Sequence, residues 1–79
     1  MPRFPVDALR DRIIRALGSL GFVVVRMGNH IALRRERSGG GADTMTLPNR
    51  PALKGSTLRT AISLAGISRD EFLEAYSRI

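Results

Sequence analysis

Residues 22–27 form a run, Phe-Val-Val-Val-Arg-Met, in which β-branched residues predominate. Such side chains favour an extended backbone, so the run predicts a β-strand. The next two residues, Gly28-Asn29, are typical of a two-residue hairpin turn. His30 to Glu36 is therefore expected to return as a second, antiparallel strand.

A third strand is predicted for Thr44-Met45-Thr46-Leu47, where polar and apolar residues alternate until Pro48. The glycine-rich run from Ser38 to Gly41 is interpreted as the hairpin connection to this strand, because it lacks the spacing of a phosphate-binding loop and the Lys-Ser/Thr pair that follows one. Residues 49–55, which include Pro51, are predicted to be a loop.

Helices are predicted on both sides of these strands. Asp7 can cap a first helix that Gly18 and Gly21 end, and its apolar stripe is expected to consist of Val6, Leu9, Ile13, Leu17 and Leu20. Arg12 and Arg15 lie off this stripe and are expected to face water.

A second helix is predicted to begin near Ser56 or Thr57 and to end at Gly66, with Leu58, Ala61, Ile62 and Ala65 on its apolar face. Ser68-Arg69-Asp70-Glu71 has the pattern of a capping box, and it precedes a short third helix that carries Phe72, Leu73 and Tyr76. The predicted order is α-β-β-β-α-α. We therefore expect one α+β domain over residues 1–79, a three-stranded antiparallel sheet with helices packed on one face.

The composition excludes several classes of protein. An apolar fraction of 43% in 79 residues is typical of a small folded domain, and the absence of cysteine excludes disulfides and thiolate zinc sites. No apolar run approaches the roughly 20 residues that span a bilayer, and the N-terminus lacks the apolar segment of a signal peptide. A cytoplasmic protein with no membrane contact is the expectation.

Positive charge is concentrated in the middle of the chain, whose net charge is +6 overall. Nine basic residues between positions 12 and 59 face only two acids, Glu36 and Asp43, which gives +7 there, whereas residues 60–79 sum to −1. The nine are Arg12, Arg15, Arg26, Arg34, Arg35, Arg37, Arg50, Lys54 and Arg59. Such a field attracts phosphates, and His30, the one histidine, lies within it. This combination points towards RNA.

The predicted turn also determines which side chains share a face of the sheet. It pairs Met27 with His30, Val25 with Ala32 and Val24 with Leu33. One face would then carry Phe22, Val24, Ile31 and Leu33 under the helices, and the other would carry Val23, Val25, Met27, His30, Ala32 and Arg34. His30 is thus expected to be exposed beside Arg34, with Arg26 and Arg35 near the edges.

From the residues alone, His30 is either a functional group in the basic field or an ordinary solvent-exposed histidine. An exposed histidine at the end of a hairpin is common and needs no function. The second face is, however, unusually apolar for a surface in water, which indicates a partner protein lying across it.

Residues 54–59 combine cations, hydroxyls and free backbone N–H groups at a predicted helix N-terminus, which is a natural seat for a phosphate. The candidate contacts are Lys54, Ser56, Thr57 and Arg59. An ordinary Ser/Thr cap surrounded by solvated charges explains the same pattern.

Several motifs in order and spacing resemble the HicA-type toxins of bacterial toxin–antitoxin pairs. They are Gly21-Phe22, Gly28-Asn29-His30, Leu47-Pro48, Leu53-Lys54-Gly55-Ser56-Thr57-Leu58-Arg59, Gly66-Ile67-Ser68 and Asp70-Glu71-Phe72-Leu73. The similarity covers nearly the whole chain from Asp7 onward. Two positions depart from the family pattern: Asn29 stands where a serine is usual, and Asn49-Arg50 stands where many members have a second histidine.

The resemblance implies a fold similar to the double-stranded-RNA-binding domain (dsRBD-like) and an endoribonuclease, an mRNA interferase, that cleaves mRNA without a metal or other cofactor. It also implies an antitoxin partner of the HicB type and a catalytic role for His30. We expect a monomer when the chain is free.

The expected mechanism uses His30 as the general base on a ribose 2′-hydroxyl, with Arg34 first and Arg26 or Arg35 next to neutralise the phosphate. Two alternatives remain: an RNA-binding module without catalysis, and an antitoxin-binding domain whose catalysis has decayed.

Overall fold

The computed structural model describes residues 4–79, and it contains three helices and two antiparallel sheets. The elements in chain order are β1 (Asp7–Leu9), α1 (Arg10–Ser19), β2 (Val23–Met27), β3 (His30–Glu36), β4 (Ala42–Pro48), β5 (Ala52–Lys54), α2 (Gly55–Leu64) and α3 (Arg69–Ser77). Strands β2, β3 and β4 form the larger sheet in that order, and β1 pairs with β5. The predicted α+β class, the three-stranded antiparallel sheet and the three helices are confirmed.

The small β1–β5 sheet was not expected, and it changes how α1 begins. Asp7 does not cap α1; it lies in β1 opposite Lys54, and α1 begins three residues later without a side-chain cap. Val6 and Leu9, predicted on the apolar stripe of the helix, are 81% and 62% exposed. The predicted stripe is wrong at this end because pairing with a distant strand, which buries Ala8, replaces the first helical turn.

The segment predicted as a loop contains the partner strand. β5 occupies residues 52–54, and its central residue Leu53 is buried opposite Ala8. A strand of three residues with one buried side chain has almost no alternating pattern, so only the tertiary contact reveals it.

The core lies on one side of the larger sheet. Ile31 and Leu33 are buried at alternate positions of β3, and Met45 and Leu47 are buried at alternate positions of β4. None of these four side chains is more than 6% exposed. The helices cover this side with further buried residues: Ile13, Ala16, Leu17, Leu58, Ile62, Phe72, Leu73 and Ala75. No helix among residues 4–79 covers the opposite side of the sheet, as the alternation in β3 predicted.

The helices end close to the predicted glycines, except that Gly18, predicted to end α1, lies inside it because the helix continues to Ser19. Gly21 and Gly66 have φ values of +97° and +77° just beyond α1 and α2, a conformation that glycine adopts without strain. The Ser68 Oγ accepts a hydrogen bond from the Glu71 backbone N–H at 3.1 Å, so the predicted cap of α3 is confirmed. Within residues 4–79, no helix is long and apolar enough to cross a bilayer.

Candidate nucleic-acid interface

The hairpin that carries His30 contains a β-bulge. Val24 pairs with Leu33 as predicted, but the register shifts before Arg26, which pairs with Ala32, and Met27 pairs with Ile31. The predicted pairs Met27–His30 and Val25–Ala32 are therefore wrong. In a β-bulge, one strand has an extra residue that has no partner on the neighbouring strand. Here that residue is Val25, which lies between the paired residues Val24 and Arg26.

The turn itself also differs from the predicted one. The favoured two-residue hairpin turns need a positive φ, which neither Gly28 nor Asn29 has. Instead, the Gly28 N–H donates to the His30 carbonyl oxygen at 3.1 Å, so the turn spans residues 28–30. The bulge accommodates the longer turn.

The bulge moves Arg26 to the side of the sheet that carries His30. Residues paired across a ladder point to the same face, and Ala32 is two residues beyond His30 on β3. A pocket of about 350 Å³ opens on that face. It is lined by Arg26, Gly28, Asn29, His30, Ala32 and Thr46. An imidazole and a guanidinium thus share one concave site on the uncovered side of the sheet.

The expected division of the sheet faces is confirmed for β3, but the bulge places Arg26 on the His30 face and pairs Met27, which was expected on that face, with Ile31 of the helix-covered face. His30 is exposed, and Phe22, Ile31 and Leu33 are buried. The apolar side chains Val23, Val25 and Met27 of β2 are about 60% exposed. Val24 was predicted under the helices but is 38% exposed, because β2 is an edge strand with no neighbour on its outer side.

Arg34 lies on the same face as His30 but not in the same pocket. The two residues are four positions apart in β3, which corresponds to about 13 Å along a strand. The Arg34 Nε donates to the Glu36 Oε1 at 2.8 Å, and both side chains are well exposed. Arg26, and not Arg34, is therefore the arginine that lines the pocket with His30.

Arg35 lies on the other side of the sheet, so the expectation that it approaches His30 is wrong. Its Nη2 is 2.8 Å from the Asp43 Oδ2, and its Nη1 donates to the Leu20 carbonyl at 3.2 Å. The guanidinium carbon lies 4.7 Å from the centre of the Phe22 ring. Residues 31, 33 and 35 of β3 face the helices. Arg35 lies at the end of this row, where it forms an ion pair with Asp43.

Asp43 is the one buried charged residue among those that the structure describes, at 7% exposure. Its carboxylate accepts hydrogen bonds from Arg37 and from Arg35. These two donors hold the pKa of Asp43 below its usual range, the Arg37 bond contributing most, and the same bond raises the pKa of Arg37. Arg35 and Arg37 of the central basic cluster therefore share one carboxylate instead of both being free to bind a phosphate.

The expected phosphate seat forms a second pocket, of about 530 Å³, at the start of α2. Lys54, Ser56 and Arg59 line it, together with Phe4, Pro5, Val6, Asp7 and Gly55, whereas Thr57 does not. The helix end is partly occupied already: the Gly55 N–H donates to the Val6 carbonyl, and Arg59 lies over the Phe4 ring. No residue lines both this pocket and the one at His30.

Asn49 and Arg10 meet at the His30 turn, a contact that no pattern in the sequence predicts. The Asn49 side chain donates to the Gly28 carbonyl at 2.8 Å, and its backbone N–H donates to the Asn29 carbonyl at 3.0 Å. The Arg10 Nη1 donates to the Asn49 Oδ1 at 2.9 Å. These residues are 39 positions apart, so no local pattern could have related them.

Comparison of this chain with protein-family models, with curated proteins and with solved structures finds no match. In the part of the chain from Phe4 to Ile79, no group of three or more His, Cys, Asp or Glu side chains could hold a metal ion.

Proposed function

We propose that this chain is a HicA-type mRNA interferase, the toxin of a toxin–antitoxin pair, which cleaves mRNA with His30 as general base. The observation that carries the proposal is the shared pocket of His30 and Arg26 on an uncovered sheet face of a strongly basic chain. The order α1-β2-β3-β4-α2 is compatible with the dsRBD-like fold that the motif resemblance implies.

In the proposed reaction, an unprotonated imidazole nitrogen of His30 takes the proton of a ribose 2′-hydroxyl. The 2′-oxygen attacks the adjacent phosphorus, the bond to the 5′-oxygen breaks, and that oxygen takes a proton from water, whose hydroxide then accepts the proton held by His30. The products are a 2′,3′-cyclic phosphate and a 5′-hydroxyl end. A general base contributes roughly 10²- to 10⁴-fold, so a slow enzyme is expected, and no metal enters the step.

Arg26 is proposed to stabilise the extra negative charge on the phosphate, because it is the guanidinium in the pocket of His30. Arg34 would bind the RNA backbone farther along the same face. Lys54, Ser56, Thr57 and Arg59 would provide a separate backbone contact at the start of α2, through side chains rather than through the Gly55 N–H, which Val6 occupies. Arg35 has no proposed RNA contact.

A HicB-type antitoxin is the proposed protein partner. Val23, Val25 and Met27 of the strand β2 are exposed apolar side chains, which are typical of protein contact sites. Because Arg26 of the same strand lines the His30 pocket, a partner that lies along β2 would cover one wall of it. We propose a monomer when the chain is free and a cytoplasmic site of action.

The test compares the purified chain with His30→Ala on RNA in the presence of EDTA. Thr44→Ala is a matched control, since Thr44 lies on the same face opposite Arg34 and outside the pocket. The wild type and Thr44→Ala should cleave and leave cyclic phosphate ends, and His30→Ala should not, with all three folded by circular dichroism. Equal cleavage by the wild type and His30→Ala contradicts the mechanism, and loss of wild-type cleavage on adding EDTA indicates a metal-dependent one.

The two alternatives, an RNA-binding module without catalysis and a catalytically decayed antitoxin-binding domain, predict different results with the same purified proteins. A binding module would show salt-dependent RNA affinity without cleavage, and His30→Ala would not change growth when the protein is induced. A decayed toxin would bind an acidic antitoxin without arresting growth.

A further inference from the structure

Asn49 holds the two carbonyl groups that come immediately before His30. Its side-chain amide donates to the Gly28 oxygen, and its backbone N–H donates to the Asn29 oxygen. Because a peptide group is planar, fixing these two oxygens fixes the two peptide planes that lead into the His30 Cα. The Gly28 N–H closes the turn on the other side by donating to the His30 carbonyl.

Arg10 determines which way the Asn49 amide points. Its Nη1 donates to the Asn49 Oδ1, so the amide oxygen faces the guanidinium and the NH₂ group faces Gly28. Arg10 is itself anchored at the start of α1, where its backbone N–H donates to the Pro51 carbonyl at 2.9 Å. The side chain of Arg10 is about one-third exposed, and Asn49 is half-buried. The contact therefore connects the His30 turn to the first helix.

We infer that Asn49, oriented by Arg10, is a positioning residue for the imidazole of His30. This inference rests on the proposed ribonuclease function. A general base must lie within about 3 Å of the proton that it removes, and a displacement of about 1 Å can reduce the rate by 10²-fold. His30 pairs with Pro48 on β4, and the hydrogen bonds from the next residue, Asn49, fix the two peptide groups before His30, so they help to position its side chain relative to Arg26.

The decisive variant is Asn49→Asp, which keeps the shape and the acceptor for Arg10 but replaces the NH₂ donor by an oxygen facing the Gly28 carbonyl. We expect kcat to fall by about tenfold or more, and KM to change by less than about twofold. A second variant, Arg10→Gln, removes the guanidinium and should lower kcat in the same direction. Ser68→Ala is the matched control, because it also removes one side-chain hydrogen bond but lies at α3.

Two measurements separate positioning from general destabilisation. Amide exchange at Gly28, followed by NMR, should accelerate in Asn49→Asp and Arg10→Gln but not in Ser68→Ala. RNA affinity, measured in a His30→Ala background, should be the same with and without Asn49→Asp.

The inference is overturned if Asn49→Asp retains wild-type kcat, or if it lowers affinity and kcat together in proportion. It is also overturned if Gly28 exchange does not change. If the wild type cleaves no RNA, the proposed function fails, and the role of Asn49 in ordering the turn is then decided by the exchange measurement alone.

Discussion

Arg26 lies directly opposite Ala32, one residue away from the register that a two-residue turn at Gly28-Asn29 would give. The bulge at Val25 thereby turns the guanidinium towards the face that carries His30. The charge of this face next to the imidazole depends on that one extra residue.

Arg26→Gln should reduce RNA cleavage by about 10²-fold, because the pocket loses its positive charge where the phosphate gains negative charge. Arg15→Gln is the control, since it makes the same change of charge on α1, where Arg15 is exposed and lies outside the pocket. Initial rates on one RNA give the comparison. Equal loss in both variants would mean that only the overall charge matters.

Asp43 should make the domain sensitive to acid. The pKa of Asp43 is lowered in the folded chain by Arg37 and Arg35, so the folded state binds its proton less readily than the unfolded state does. The resulting stabilisation is present above the unfolded pKa of about 4, and it is lost as the pH falls through the lower folded pKa.

Asp43→Asn should therefore lower the unfolding temperature at pH 7, and the difference from the wild type should shrink as the pH falls below about 4. Thermal unfolding followed by circular dichroism at several pH values measures this. Glu36→Gln is the control, because Glu36 is exposed in its pair with Arg34 and should have little effect. A difference that is the same at pH 7 and at pH 2 would contradict the assignment.

Gly55→Ala should destabilise the fold by about 1–3 kcal/mol, because a Cβ there would overlap the Pro5 carbonyl oxygen. Gly18→Ala offers the opposite case: the site is open and lies inside α1, so alanine should stabilise by about 0.5–1 kcal/mol. Urea unfolding of the two variants gives both free energies. If Gly55→Ala does not destabilise the fold, the close contact between residues 5 and 55 does not exist in solution.

Phe72→Ala should cost about 3–5 kcal/mol, since its ring is fully buried between the Phe4 and Tyr76 rings at 5.9 and 5.6 Å. Leu64→Ala, at a position that is 83% exposed, should change the free energy of unfolding by no more than about 0.5 kcal/mol. The free energies of unfolding of both variants are measured by urea denaturation. A loss below 1 kcal/mol for Phe72→Ala would exclude the packing of α3 on the N-terminal segment.

Local patterns in the sequence were sufficient where one element determines its own structure. The β-branched run gave β2, the glycines after α1 and α2 gave the helix ends, and Ser68 gave the cap of α3. The exposure of His30 also followed, because alternation in β3 is a local property. The prediction of Arg35 beside His30 failed because it counted charge along the chain instead of the face that each position occupies.

Local patterns were enough to predict the three helices apart from the start of α1, the three central strands and the concentration of positive charge, because spacing and β-branching act over a few residues. The remaining features come from contacts between distant segments. Tertiary structure paired Ala8 with Leu53, shifted Arg26 by one residue through a bulge, and brought Arg10 and Asn49 to the His30 turn. Each of these depends on contacts between segments far apart in the chain, whose energies no local pattern contains.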